Sequence, residues 1–196
     1  MPRKKYNHKG YSLYGWFAQN TKKWYSDRVS PIKNGIVVEI GVYGGASLLS
    51  IVDICKENKN HLYGIDPWEL IKFHNDKKSS PLLLKKKRNE LKSRRCNLEK
   101  IIEELKYDHV SLIKDFSVNA ARTFEDESVD LVFIDGSHGY ESVKADLENW
   151  FPKIKKNGIL GGDDWGWPLV QKAVCEFTQK NNLKVGNIQN HWEIKF

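Results

Sequence analysis

Residues 36–41, Ile-Val-Val-Glu-Ile-Gly, are a short β-branched apolar run that ends on glycine, and the chain returns to that form repeatedly. The run is too short for an ordinary helix and offers almost no polar face to water. It therefore reads as a strand buried on both sides, the habit of parallel sheets. Residues 62–66 repeat the form and stop at Asp66-Pro67, where proline prevents easy continuation. Residues 110–113, 129–135 and 158–161 repeat it three more times. Helical patterns lie between these runs. Residues 47–57 read as one helix, and residues 69–106 as a helix in two pieces broken at Ser79-Ser80-Pro81. In the second piece Leu91, Leu98, Ile102 and Leu105 share one face. Tyr140, Val143, Leu147, Trp150 and Phe151 mark another apolar face, and Val170, Ala173, Val174 and Phe177 a third. Residues 183–185 and 191–196 read as two strands of an antiparallel hairpin.

Strands and helices in alternation imply an α/β fold, a Rossmann-like, doubly wound, mostly parallel seven-stranded sheet with a C-terminal antiparallel hairpin. Its ligand site is expected at the C-terminal ends of the strands. The 196 residues, 40% of them hydrophobic, suit one main domain. We divide the chain into an aromatic and basic N-terminal helical segment, 1–34, and a main domain, 35–196, with a basic helical insertion at 69–107. Trp16, Trp24, Tyr11, Tyr14 and Phe17 suit the first segment to capping the site, or equally to packing on the sheet edge or a second subunit. No apolar run approaches the roughly 20 residues of a membrane span, and residues 1–10 lack the apolar core of a secretory signal. Cys55, Cys96 and Cys175 are odd in number and far apart, which fits reduced thiols and a cytoplasmic location.

The first strand runs into Val38-Glu39-Ile40-Gly41-Val42-Tyr43-Gly44-Gly45-Ala46-Ser47. Glycines let this backbone turn sharply and approach a ligand, and free N–H groups at a helix start attract negative charge. Asp66 follows Gly41 by 25 positions, a spacing suited to gripping a ribose diol. Together these favour a nucleoside-containing cofactor over a plain tight turn. The Gly-x-Gly-x-x-Gly of NAD sites is absent, because Val42 and Tyr43 stand between Gly41 and Gly44.

The pattern Glu-x-Gly-x-x-x-Gly at Glu39, Gly41 and Gly45 resembles the cofactor loop of class I S-adenosylmethionine-dependent methyltransferases, and the resemblance runs from residue 36 to the C-terminus. Glu39-Ile40-Gly41-Val42-Tyr43, followed by Gly45 and Ser47, is similar to the cation-dependent O-methyltransferases among them. The resemblance implies S-adenosyl-L-methionine as cofactor, with Glu39 and Tyr43 in its loop. It implies that Gly41 and Gly45 shape the loop, that Ser47 contacts the methionine carboxylate and that Asp66 binds the ribose hydroxyls. By position Asp115, Phe116 and Ser117, after the third strand, would lie near adenine, and Asp135 is also expected to face the cofactor.

A second group of residues is Phe133-Ile134-Asp135-Gly136-Ser137-His138 with Gly161-Gly162-Asp163-Asp164-Trp165. Asp135, Asp163 and Asp164 end two successive strands, and carboxylates brought that close repel unless a cation joins them. Hard oxygen donors suit Mg²⁺, with Mn²⁺ or Ca²⁺ as substitutes; the plainer alternative is a solvated turn and a lone strand-end acid. His138 stands on the same rim, where neutral imidazole can take a proton from a hydroxyl. Phe-Ile-Asp-Gly-Ser-His-Gly-Tyr, continuing through Asp146-Leu147 and Pro152 to Asp163-Asp164, resembles the macrocin O-methyltransferase and cephalosporin hydroxylase-like branch. That branch implies metal ligands at Asp135, Asp163 and Asp164, and His138 as the base, with Asp135 also catalytic. Catechol-type enzymes carry lysine at the position of His138, which points instead to sugars or other aliphatic hydroxyls. Trp68, Trp165 and Trp167 follow strand ends and suit either a cofactor wall or packing.

The formal net charge is +7, and its position matters more than its size. Residues 72–106 hold 12 basic and 5 acidic residues, while the rest of the chain holds 20 of each. The excess therefore rides on the insertion, either as a solvated face or as a contact for an anionic acceptor. Nucleic acid ranks behind both, because Lys85-Lys86-Lys87-Arg88 has no interleaved aromatics and base-stacking recognition is unsupported. The reading is an O-methyltransferase acting on a small-molecule or glycan hydroxyl, with a homodimer allowed by family analogy. The alternatives are an RNA methyltransferase and a non-catalytic S-adenosylmethionine-binding module.

Overall fold

The computed structural model describes residues 4–15, 19–70 and 80–196. Strands β1 (Lys4–His8) and β2 (Tyr11–Gly15) pair as an antiparallel hairpin, and helix α1 (Gln19–Val29) comes next. The expected N-terminal helical segment is therefore helical only at α1. The reason lies at Lys9 and Gly10, whose φ angles of 47° and 93° make the two-residue turn that matches strand twist. Trp16 and Phe17 fall outside the described residues.

The main sheet contains β3 (Ile36–Ile40), β4 (His61–Ile65), β5 (Val110–Ile113), β6 (Val129–Ile134), β7 (Ile154–Gly162), β8 (Val185–Ile188) and β9 (His191–Lys195). Its order is β5-β4-β3-β6-β7-β9-β8, the first five parallel and the last two an antiparallel hairpin. The expected seven-stranded α/β sheet is thus present. Alternate residues serve opposite cores, as a period of two requires. Val37, Leu131 and Phe133 join Trp24, Tyr25 and Leu98 on one face, while Val38, Ile40, Val132 and Ile134 join Leu147, Trp150 and Val174 on the other.

Helices α2 (Val52–Glu57), α3 (Pro81–Glu104), α4 (Ser117–Ala121), α5 (Tyr140–Trp150) and α6 (Pro168–Lys180) complete the fold. The single helix expected over 47–57 is instead a 3-10 turn, Leu48–Ser50, and then α2. Leu48, Leu49, Ile51 and Val52 are all buried, a set wider than one helical face can cover. Helix α3 starts where Ser79-Ser80-Pro81 predicts: Ser80 Oγ accepts from Leu83 N and Pro81 occupies the first turn. The helical piece expected before it lies largely outside the described residues. Strand β7 begins four residues before the expected 158, with a register shift between Val129 and Leu131 of its partner. Among the described residues no helix is long and apolar enough to cross a membrane.

Candidate active site

The sheet ladder continues one residue past its strand ends, and this sets the site on a common line. Gly41 N donates to Ile65 O, Asp66 N to Ile113 O, Asp135 N to Ile40 O and Asp163 N to Ile134 O. Beyond that line opens a cleft of about 1270 Å³. Of the residues expected here, Gly41, Tyr43, Ser47, Asp66, Phe116, Ser117, Asp135, His138, Asp163 and Asp164 line it. Glu39, Gly45 and Asp115 do not.

Gly41 has φ +92°, and a Cβ there would lie 2.2 Å from Asp135 O, so the loop passes directly over the neighbouring strand end. Gly45, φ +78°, faces Leu98 of α3, whose Cδ1 would be 2.5 Å from an added Cβ. It shapes the loop from behind rather than from the cleft. Glu39 lies on the sheet face beneath the loop. Ser47 Oγ donates to Glu39 Oε1 at 2.6 Å, while Glu39 Oε2 has no hydrogen-bond partner among the described residues. Burial pushes the Glu39 carboxyl up to about 8, against the lowering effect of the Ser47 bond.

Asp66 ties the loop to the chain just beyond β4. Its Oδ2 accepts from Tyr43 N at 2.8 Å and its Oδ1 from Trp68 N at 2.6 Å. Burial raises its pKa, which these two donors oppose. Trp68 is buried, and its Nε1 donates to Tyr43 O at 2.8 Å. It therefore braces the loop and is not a wall of the cleft. Trp165 is likewise packed into a core, whereas Trp167 is exposed, lines the cleft and rests on His138 with ring centroids 5.0 Å apart. Asp115 Oδ1 accepts from Phe116 N and Asn119 Nδ2, fixing the start of α4 from outside the cleft.

The acidic rim is assembled by β6 and β7. His138 Nδ1 lies 3.0 Å from Asp164 Oδ2. Asp163 Oδ1 accepts from Asp164 N and Asn190 Nδ2, both at 2.7 Å, and His191 Nε2 stands 3.6 Å away. Burial raises the Asp163 pKa. Asp135 accepts no hydrogen bond among the described residues. Burial first, then the charges of Asp163, Glu39 and Asp164, push its carboxyl well above the ordinary range. A divalent cation would relieve that cost, and the donor set of hard oxygens fits one. In the observed side-chain positions no three His, Cys, Asp or Glu groups among the described residues close around one point.

The aromatic N-terminal segment was expected either to cap the site or to pack elsewhere, and Tyr14 does line the cleft, whereas sequence patterns missed the β8–β9 turn. Tyr14, Gly15, Asn20 and Thr21 reach the cleft from the hairpin and α1, and Gln189, Asn190 and His191 from the β8–β9 turn. His191 Nε2 is 3.0 Å from Thr21 Oγ1, and its ring stacks on Trp24. No local motif marks Thr21 or residues 189–191, because only the packing of α1 on β9 brings the two chain ends together.

The described wall of the cleft carries Asp66, Glu69, Asp135, Glu141, Asp146, Asp163 and Asp164, and no Lys or Arg. The site is thus an acidic cleft at the strand ends of a doubly wound sheet, entered over a glycine loop, where such folds bind their ligands. Residues 38–165 match the methyltransferase-domain family, and the chain belongs to that family. The O-methyltransferase NovP superposes with a TM-score of 0.65 at 18% identity, over 90% of this chain and 78% of its own. CalS11, a TDP-rhamnose 3'-O-methyltransferase of calicheamicin biosynthesis, gives a TM-score of 0.56 at 15% identity, over 90% of this chain and 77% of its own. An uncharacterized protein, y4gI, of Sinorhizobium fredii (strain NBRC 101917 / NGR234) is 43% identical over 49 residues, which are 25% of this chain and 5% of that protein. The chain thus has the fold of the S-adenosylmethionine-dependent O-methyltransferases.

Proposed function

We propose that this protein transfers the methyl group of S-adenosylmethionine to a hydroxyl of a sugar, glycan or other small molecule, with a divalent cation, Mg²⁺ or Mn²⁺, at the acidic rim. The observation that carries the reading is a cleft with a glycine loop, seven carboxylates, no Lys or Arg among the described residues, and two histidines beside acids, of which His138 is the more exposed and His191 is buried. Such a wall favours cationic ligands, and both the sulfonium cofactor and a divalent ion are cations. The sugar acceptor is supported by His138 and by the likeness to CalS11.

When bound, the cofactor supplies an electrophilic methyl and the cation a Lewis acid that lowers a hydroxyl pKa. Asp135, Asp163 and Asp164 would hold the cation. The loop from Gly41 to Ser47 and Asp66 would position the cofactor, leaving alignment and deprotonation as the main tasks. Asp164 Oδ2 fixes His138 Nδ1 as the protonated nitrogen, so Nε2 is left to accept the acceptor's proton. Asp164 Oδ1 accepts only a long bond from Asn190 Nδ2, at 3.4 Å, which the cation would replace, and Trp167 limits how the imidazole can turn.

The test is release of S-adenosylhomocysteine from S-adenosylmethionine with a panel of sugars and nucleotide-sugars in Mg²⁺, repeated in EDTA. Release should depend on the acceptor, stop in chelator and return with Mg²⁺ or Mn²⁺. Unchanged release in EDTA removes the metal, and no release with any hydroxylated acceptor leaves a binding module.

A further inference from the structure

We propose that Asp146 reads the adenine ring of the cofactor, accepting a hydrogen bond from its 6-amino group. This rests on the S-adenosylmethionine reading above. Along the strand ends the cleft passes from the Gly41 loop at β3, by Asp66 at β4, to the start of α4 beyond β5. A ribose held on Asp66 therefore sends its base toward α4 and the helix packed against it, α5.

The acid expected to meet the base there, Asp115, is committed to Phe116 N and Asn119 and does not line the cleft. Asp146, on the second turn of α5, does line it while only 6% exposed. Phe116, Ser117, Val118 and Ala145 share this part of the wall, so nothing cationic balances the carboxyl. Burial pushes it up to about 6, against a lowering effect of the nearby Ser117 hydroxyl. The Ser117 oxygen accepts from Trp150 Nε1 at 2.8 Å, which holds the α4 start against α5. The Asp146 carboxylate thus keeps acceptor capacity for a donor in the cleft. Burying an acceptor on a ligand wall without a donor is costly. A purine amino group supplies one, and the half-exposed Phe116 ring offers an aromatic surface beside it.

The test compares binding of S-adenosylhomocysteine and S-inosylhomocysteine, which carries a 6-oxo group in place of the amino group, by calorimetry. The wild type should prefer the adenosyl ligand by about tenfold or more. In Asp146→Leu, of similar size and with no acceptor, the ratio should fall by at least about tenfold. Asp146→Ala should bring the ratio near one, and whichever variant keeps the wild-type circular dichroism decides the matter. A wild-type ratio in a folded variant, or equal losses for both ligands, assigns Asp146 to packing and overturns the inference. A wild type that binds neither ligand overturns the cofactor reading and the inference with it.

Discussion

His138 and Asp164 stand 3.0 Å apart because the Asp163-Asp164 turn bends back toward the β6 end, with Asp164 at φ +60°. If His138 takes the acceptor's proton, His138→Ala should lower kcat by about 10²–10⁴ and leave the cofactor Kd unchanged. Near-normal turnover in that variant removes His138 as the base. The two stretches, Asp135 to His138 and Asp163-Asp164, were legible because each is local in the chain, whereas the pairing of His138 with Asp164 joins residues far apart in it. Glu39 shows the opposite case. The sequence placed it in the cofactor loop, whereas it sits beneath the loop and holds Ser47. Burial pushes its carboxyl up to about 8 in the fold from the ordinary 4.5. Between those values the unfolded chain has lost the proton and the folded one has kept it. Stability from this group is therefore full below about 4.5 and is lost as pH rises through about 8, by at most about 1.4 kcal/mol per pH unit. Urea unfolding of Glu39→Gln should show a flatter decline over that window than the wild type. Identical pH slopes in the two proteins would show that Glu39 is ionised in the fold.

Helix α3 acts on the site through its middle, not its basic start. Leu98 is fully buried and packs against Gly45, Tyr43 Oη donates to Glu90 Oε1 at 2.5 Å, and the Arg94 guanidinium lies 3.9 Å from the Tyr14 ring. The helix thus clamps the cofactor loop and the N-terminal hairpin together. Leu98→Ala is expected to cost about 2–5 kcal/mol in denaturant unfolding and to weaken cofactor binding, since Gly45 would lose its backing. A stability loss with undiminished cofactor affinity would confine Leu98 to the core. The spacing of Leu91, Leu98 and Ile102 made this face readable, and Ser80-Pro81 made its start readable. The hairpin at 4–15 was not, because its strands are short and polar outward and its turn is a Lys-Gly pair rather than Asn-Gly or Asp-Gly.

Over the whole molecule the two charge features are separate. The excess of basic residues lies between 72 and 106, and Lys85, Lys86, Lys87 and Arg88 are exposed and absent from the cleft wall, which is acidic. Changing all four to glutamine should leave cofactor affinity intact and weaken binding of an anionic acceptor such as a nucleotide-sugar, with the difference fading as salt rises. Equal acceptor affinity in the variant reduces the run to a solvated face. The alternation of buried strands and helices determined the sheet, its strand-end site and the two acidic stretches that meet there, because those features are local in the chain. Tertiary structure alone decided which acids face the cleft and which hold the frame. Asp115 and Glu39 turn out to brace, Asp146 turns in, and His191 and Thr21 meet beside Asp163 across 170 positions. Burial and the pairing of distant elements set those orientations, and neither is written in the spacing of neighbouring residues.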